Sequence, residues 1–170
     1  MPIRRGEEFL ESLRDGRRIW LQGELVEDVT AHPSLKGCAE SVAAVYDLQH
    51  VAANRDVLTM PSPLSGEPVS LAYLLPHSAD DLTRQRKMYE FLVRRAGGVA
   101  ARLPQHLATV ILGLHDVRDI FGRENPDFAE NVTRYFEYCR ENDLAIATIF
   151  NDPFHHRSHP QSKQEYLRVV

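Results

Sequence analysis

Pro61, Pro63, Pro68 and Pro76 forbid a continuous helix through the middle of this chain. Each lacks the amide hydrogen a helix needs and clashes with the turn before it. Residues 51–77 therefore read as a long ordered loop, with Gly66 placed to turn the chain. Its extended pieces, 57–59 and 69–75, are expected to pair as a small hairpin. Loops of this length are uncommon unless they cover something, so the expectation here is a lid or docking role.

The flanks carry the opposite signal. Residues 7–15 predict a short helix, with Phe9, Leu10 and Leu13 on one side and Gly16 closing it. Ile19-Trp20-Leu21 and Glu24-Leu25-Val26 surround Gln22-Gly23, which predicts a hairpin within about 19–29. Residues 34–50 predict a helix with Leu35, Ala39, Val42, Val45 and Leu48 inward. Ser78 with Asp81 three residues on is a capping signature. It opens a stripe of Leu82, Met88, Tyr89, Leu92, Val93 and Ala96 that ends at Gly97-Gly98. Pro104 suits a first helical position, and that helix is expected to reach about 121–122. Residues 107–114 are almost all apolar, which predicts burial on more than one side. Pro126 opens another helix with Phe128, Val132, Tyr135, Phe136 and Cys139 at helical spacing, and with Glu130 one turn before Arg134. The fold class is mainly α: a helical bundle with one or two small β-hairpins, forming one domain over residues 1–170. The final run, Gln164-Glu165-Tyr166-Leu167-Arg168-Val169-Val170, reads as a strand without a local mate. The expectation is that a β-rich unit would follow it.

Composition narrows the function classes. Apolar residues make up 43% of the chain and charged ones 26%, which excludes a disordered polar chain. The formal net charge is −4 with both signs interspersed, so no basic tract marks a nucleic-acid or anionic-membrane surface. Arg4-Arg5, Arg17-Arg18 and Arg94-Arg95 read as solvated faces. No run of 18 apolar residues suggests a membrane span. Cys38 and Cys139 form no CxxC, and with no signal peptide the expectation is two free thiols in the cytoplasm, Cys139 filling core.

Generic catalytic signatures are missing. The chain has no phosphate loop, no G-x-G-x-x-G turn and no nucleophile elbow. His155, His156 and His159 are bracketed by Pro153 and Pro160 without an accompanying carboxylate, and read as a solvated loop rather than a metal site. His106 and His115 lie nine residues apart on one helix, hence on opposite faces. Arg102 stands just ahead of Leu103-Pro104. Its permanent charge suits an anion or a developing phenolate, but on local physics alone a surface arginine near a helix start is the favoured reading.

Several stretches, in order, resemble the oxygenase component of 4-hydroxyphenylacetate 3-monooxygenases. Gly6-Glu7-Glu8-Phe9-Leu10-Glu11-Ser12-Leu13 is similar to that family's opening helix, and Gly23-Glu24-Leu25-Val26-Glu27-Asp28-Val29-Thr30 with His32-Pro33 to its hairpin exit. The match continues through Tyr46-Asp47-Leu48-Gln49-His50, Ser62-Pro63-Leu64-Ser65-Gly66-Glu67-Pro68-Val69 and Tyr138-Cys139-Arg140-Glu141-Asn142-Asp143-Leu144.

The resemblance implies an acyl-CoA dehydrogenase-like amino-terminal helical domain. In such enzymes, reduced FAD from a separate flavin reductase, together with oxygen, hydroxylates a phenol ortho to its hydroxyl. It also implies three site positions: an arginine, a tyrosine four residues later and a histidine further on. Here they fall on Arg102, His106 and Thr148, so one of three is retained. A threonine can neither carry positive charge nor act as a base near neutral pH. The same resemblance places most of the flavin pocket in a following β-domain and a carboxy-terminal bundle. The chain alone is therefore expected to be inactive. Homo-oligomerisation is a further expectation, and a non-catalytic oligomerisation or regulatory module is the alternative reading. A relative that dehydrates an acyl-CoA is disfavoured, because no cysteine cluster for an iron–sulfur centre is present in the sequence.

Overall fold

Gln22 and Gly23 adopt φ of 53° and 89°, the paired positive values that a two-residue hairpin turn requires. They join β1 (Ile19–Leu21) to β2 (Glu24–Val26) in antiparallel register, with Trp20 opposite Leu25. The computed structural model describes residues 3–98 and 103–147. α1 (Gly6–Ser12) and α2 (Lys36–Leu48) pack against each other. Phe9 stacks on Tyr46 with ring centroids 5.3 Å apart. The approach is close because Gly6 has no side chain. A Cβ there would lie 2.6 Å from the Ala43 carbonyl oxygen.

The proline-rich segment is more regular than a loop. It contains a one-turn helix, α3 (Arg55–Leu58), then β3 (Thr59–Pro61) paired antiparallel with β4 (Pro68–Ser70), then a 3-10 turn over Leu71–Tyr73. Pro61 and Pro68 face each other at the end of the ladder, where neither costs an interior hydrogen bond. Leu58, Met60, Val69, Leu71, Ala72 and Tyr73 are all buried and form the centre of the main core. The loop expectation undervalued these residues because prolines mask a run that is apolar enough to be packed on both sides.

Three longer helices enclose that core. Ser78 caps α4 (Ala79–Arg95): its hydroxyl oxygen accepts from the Asp81 amide at 3.1 Å, while Asp81 accepts from the His77 amide at 3.1 Å. Met88 and Leu92 are fully buried, each contributing about 2 kcal/mol of apolar burial. Leu82, expected in the same stripe, is exposed. The expected helix from Pro104 is interrupted at Val117, giving α5 (Pro104–Asp116) and the single turn α6 (Arg118–Phe121). α7 (Pro126–Glu141) follows, with Phe136 and Cys139 buried and Glu130 paired to Arg134 at 3.8 Å. α5 is not buried all round. Ala108 packs inward, but Val110, Leu114, Val117 and Phe121 form an exposed apolar stripe along α5 and α6.

The architecture is mainly α, with seven helices and two small antiparallel hairpins among the described residues. None of those helices is long and apolar enough to cross a membrane.

Candidate functional site

Residue 103 is extended (φ −83°, ψ 145°), as expected immediately before a proline, and α5 begins at Pro104. The first turn is held from α4. The Tyr89 hydroxyl donates to the Gln105 carbonyl at 3.1 Å, and burial pushes its pKa up to about 12, so it remains a donor. His106 stands on this turn with its imidazole exposed. His115, nine residues on, faces the other way: its ring lies 4.3 Å from Phe136, and burial followed by nearby Arg118 lowers its pKa. The two histidines do not form a pair. Arg102 and Thr148 lie outside the described residues, as do His155, His156 and His159. No group of metal-ligating side chains occurs among the described residues.

A second segment arrives beside the start of α5. After α7 the chain turns through Asp143, which takes a left-handed φ of 46°. The Tyr46 hydroxyl donates to the Asp143 carbonyl at 3.0 Å, and the Tyr73 hydroxyl to the Leu144 carbonyl at 3.4 Å. Desolvation raises the pKa of both tyrosines, which keeps both hydroxyls protonated. Pro104 and Gln105 share one narrow buried seam with Asp143, Leu144 and these two tyrosines. The first turn of α5, which bears His106, and the segment leaving α7 therefore lie side by side.

Asp143 organises the seam. Its carboxylate accepts from Gln49 Nε2 at 2.7 Å and from the Arg4 amide at 3.2 Å. Burial raises its pKa to about 6, against the lowering effect of those donors. His50 Nε2 lies 3.0 Å from the Arg4 carbonyl, so the same neighbourhood anchors the start of the chain. Sequence reasoning missed Gln49, Tyr46 and Asp143 as a network. The available signal was Gln49 itself, a polar residue four positions after the inward Val45, just past the end of α2.

A concavity of about 1000 Å³ forms an open cleft between α1 and the end of α7. Arg4 spans its floor, 5.8 Å from the Phe9 ring and 5.6 Å from Tyr46, and donates to the Glu8 carbonyl at 3.1 Å. Arg17 is committed to Asp15 at 2.7 Å, which holds the Asp15 carboxyl down at about 2. Both cations of the cleft are thus engaged, and His106 does not line it. The described residues of this cleft offer one open wall rather than an enclosed cofactor pocket.

Residues 5–170 match the family described as 4-hydroxyphenylacetate 3-hydroxylase N terminal. The chain belongs to this family. A relative from Geobacillus sp. (strain PA-9), the oxygenase component of 4-hydroxyphenylacetate 3-monooxygenase, is 32% identical over 154 residues, covering 90% of this chain and 31% of that protein. A crystal structure of such an oxygenase component complexed with FAD and 4-hydroxyphenylacetate superposes with a TM-score of 0.84 at 35% identity, over 95% of this chain and 33% of that one. An archaeal 4-hydroxybutyryl-CoA dehydratase from N. maritimus superposes at 0.77 with 26% identity, over 96% of this chain and 32% of that one. The family's fold is thus shared with a dehydratase. The chain spans about a third of the length of the curated relatives it matches.

Proposed function

We propose that this chain is the amino-terminal domain of an FAD-dependent aromatic hydroxylase of the 4-hydroxyphenylacetate 3-monooxygenase type. Its substrate class is a 4-substituted phenol. The supporting observation is the seam in which the first turn of α5 and the segment leaving α7 lie together. Arg102, next to the residue that caps α5, steadies the substrate phenolate with a permanent charge. His106, one turn into the helix, is a second polar contact of shorter reach than a tyrosine hydroxyl. Thr148 offers only a hydroxyl and moves no proton near neutral pH. FAD, reduced by a separate flavin reductase, supplies the oxygen chemistry when bound, within parts of the enzyme other than the described residues. The chain of 170 residues acts as one domain and is inactive alone. Its free Cys38 and Cys139 are in keeping with a cytoplasmic setting.

Amide spectra of the purified chain test the site. 4-Hydroxyphenylacetate is expected to shift resonances at 105–108, and Arg102→Ala to abolish the shift. Saturating phenol with no response there would remove the assignment. Supplying reduced FAD and oxygen is expected to give no hydroxylated product, and turnover would overturn the dependence on further domains.

A second reading is favoured by the stripe of Val110, Leu114, Val117 and Phe121, exposed at 46%, 39%, 42% and 38%. Under it the chain is a non-catalytic module that associates with a second copy of itself through α5 and α6.

A further inference from the structure

Two glutamine side chains end inside the apolar core. Gln49 is 2% exposed and Gln105 is 6% exposed, and the side-chain oxygen of each receives no hydrogen bond from the described residues. The orientation of the Gln49 amide is fixed, because its nitrogen must face the Asp143 carboxylate to which it donates at 2.7 Å. Its oxygen therefore points elsewhere. Both glutamines line one small cavity, walled by Leu58, Met88 and Leu92 and by Ser70, all of them buried. The cavity leaves about 10 Å³ in which the centre of a water molecule can sit, close to the room one water needs.

The chemistry of the walls selects the occupant. Two amide oxygens are acceptors and cannot satisfy one another. Ser70 Oγ accepts from the Ala72 amide at 3.4 Å, which leaves its own proton to donate into the space. The site thus presents two acceptors and one donor, the complement of a molecule with two protons and a lone pair. Cavities lined only by hydrocarbon stay dry, whereas polar ones of this size hold water bound by two to four partners.

We propose that a single buried water is bound here, donating to Gln49 Oε1 and Gln105 Oε1 and accepting from Ser70 Oγ. It joins α2, the end of β4 and the first turn of α5. Through Gln49 the connection extends to Asp143, so both segments of the seam hang on one hydrogen-bonded chain: Asp143, Gln49, water, Gln105. The site depends on the fold alone and stands whether or not the chain binds a phenol.

Oxygen-17 magnetic relaxation dispersion of the full chain counts long-lived internal waters in solution. Gln105→Met keeps the volume and removes the acceptor, and the count is expected to fall by one relative to the parent. An unchanged count in a folded variant overturns the proposal. A crystal structure of the parent chain is expected to place a full-occupancy water within hydrogen-bonding distance of Gln49 Oε1, Gln105 Oε1 and Ser70 Oγ. A dry cavity, or an amide-to-amide bond between the two glutamines, overturns it as well, so the question is decided even if the variant fails to fold.

Discussion

Asp143 is the residue through which this domain should sense acidity. Its folded pKa of about 6 lies above the ordinary 3.8, so the folded chain holds that proton more tightly than the unfolded one. The stabilisation it gives is complete below about pH 4 and is lost as pH rises through about 6. Asp143→Asn removes this titration. Urea denaturation is therefore expected to favour the parent over the variant increasingly as pH is lowered from 7 to 4, by at most about 3 kcal/mol. A difference that stays flat with pH would show that the carboxyl is not perturbed. The network of which Asp143 is part also explains why short motifs carried the family resemblance. Tyr46 and Gln49 reach Asp143 and its carbonyl, Asp47 accepts from the Gly6 amide at 2.8 Å, and His50 meets Arg4. Ser62 donates to Glu141 at 2.7 Å. Stretches that are separate in sequence are the two sides of the same contacts.

At the level of elements, helix starts and the first hairpin were readable because local chemistry decides them. Ser78 illustrates this. Its cap involves only residues within one turn, and Ser78→Ala is expected to lower stability by about 1 kcal/mol, read from the shift in urea midpoint at unchanged slope. The second hairpin was half legible. Pairing within the proline-rich segment was expected, but the ladder is Thr59–Pro61 with Pro68–Ser70, and the flanking residues coil into a helical turn and a 3-10 turn instead. Register there is set by burial of Met60 and Val69 against distant helices, which no local pattern encodes. The same reason hid the break at Val117 and the burial of only one face of α5.

For the whole molecule, the expected bundle with small hairpins is the fold observed, while the candidate site was legible only through resemblance. Arg102, His106 and Thr148 have no local signature that separates them from surface residues. The stripe on α5 and α6 is exposed among the described residues, and its consequence is measurable. Under the self-association reading, the parent chain sediments as a dimer, and Leu114→Glu with Val117→Glu sediments as a monomer with an unchanged circular dichroism spectrum. A monomeric parent at high concentration would rule that reading out.

The tether formed by Tyr46 and Tyr73 grips main-chain oxygens, those of residues 143 and 144, rather than side chains. A carbonyl is common to every amino acid. At these two points the hold on the backbone past the start of α5 is independent of which side chains it displays. Side chains displayed along that stretch can therefore be exchanged without loosening these two bonds.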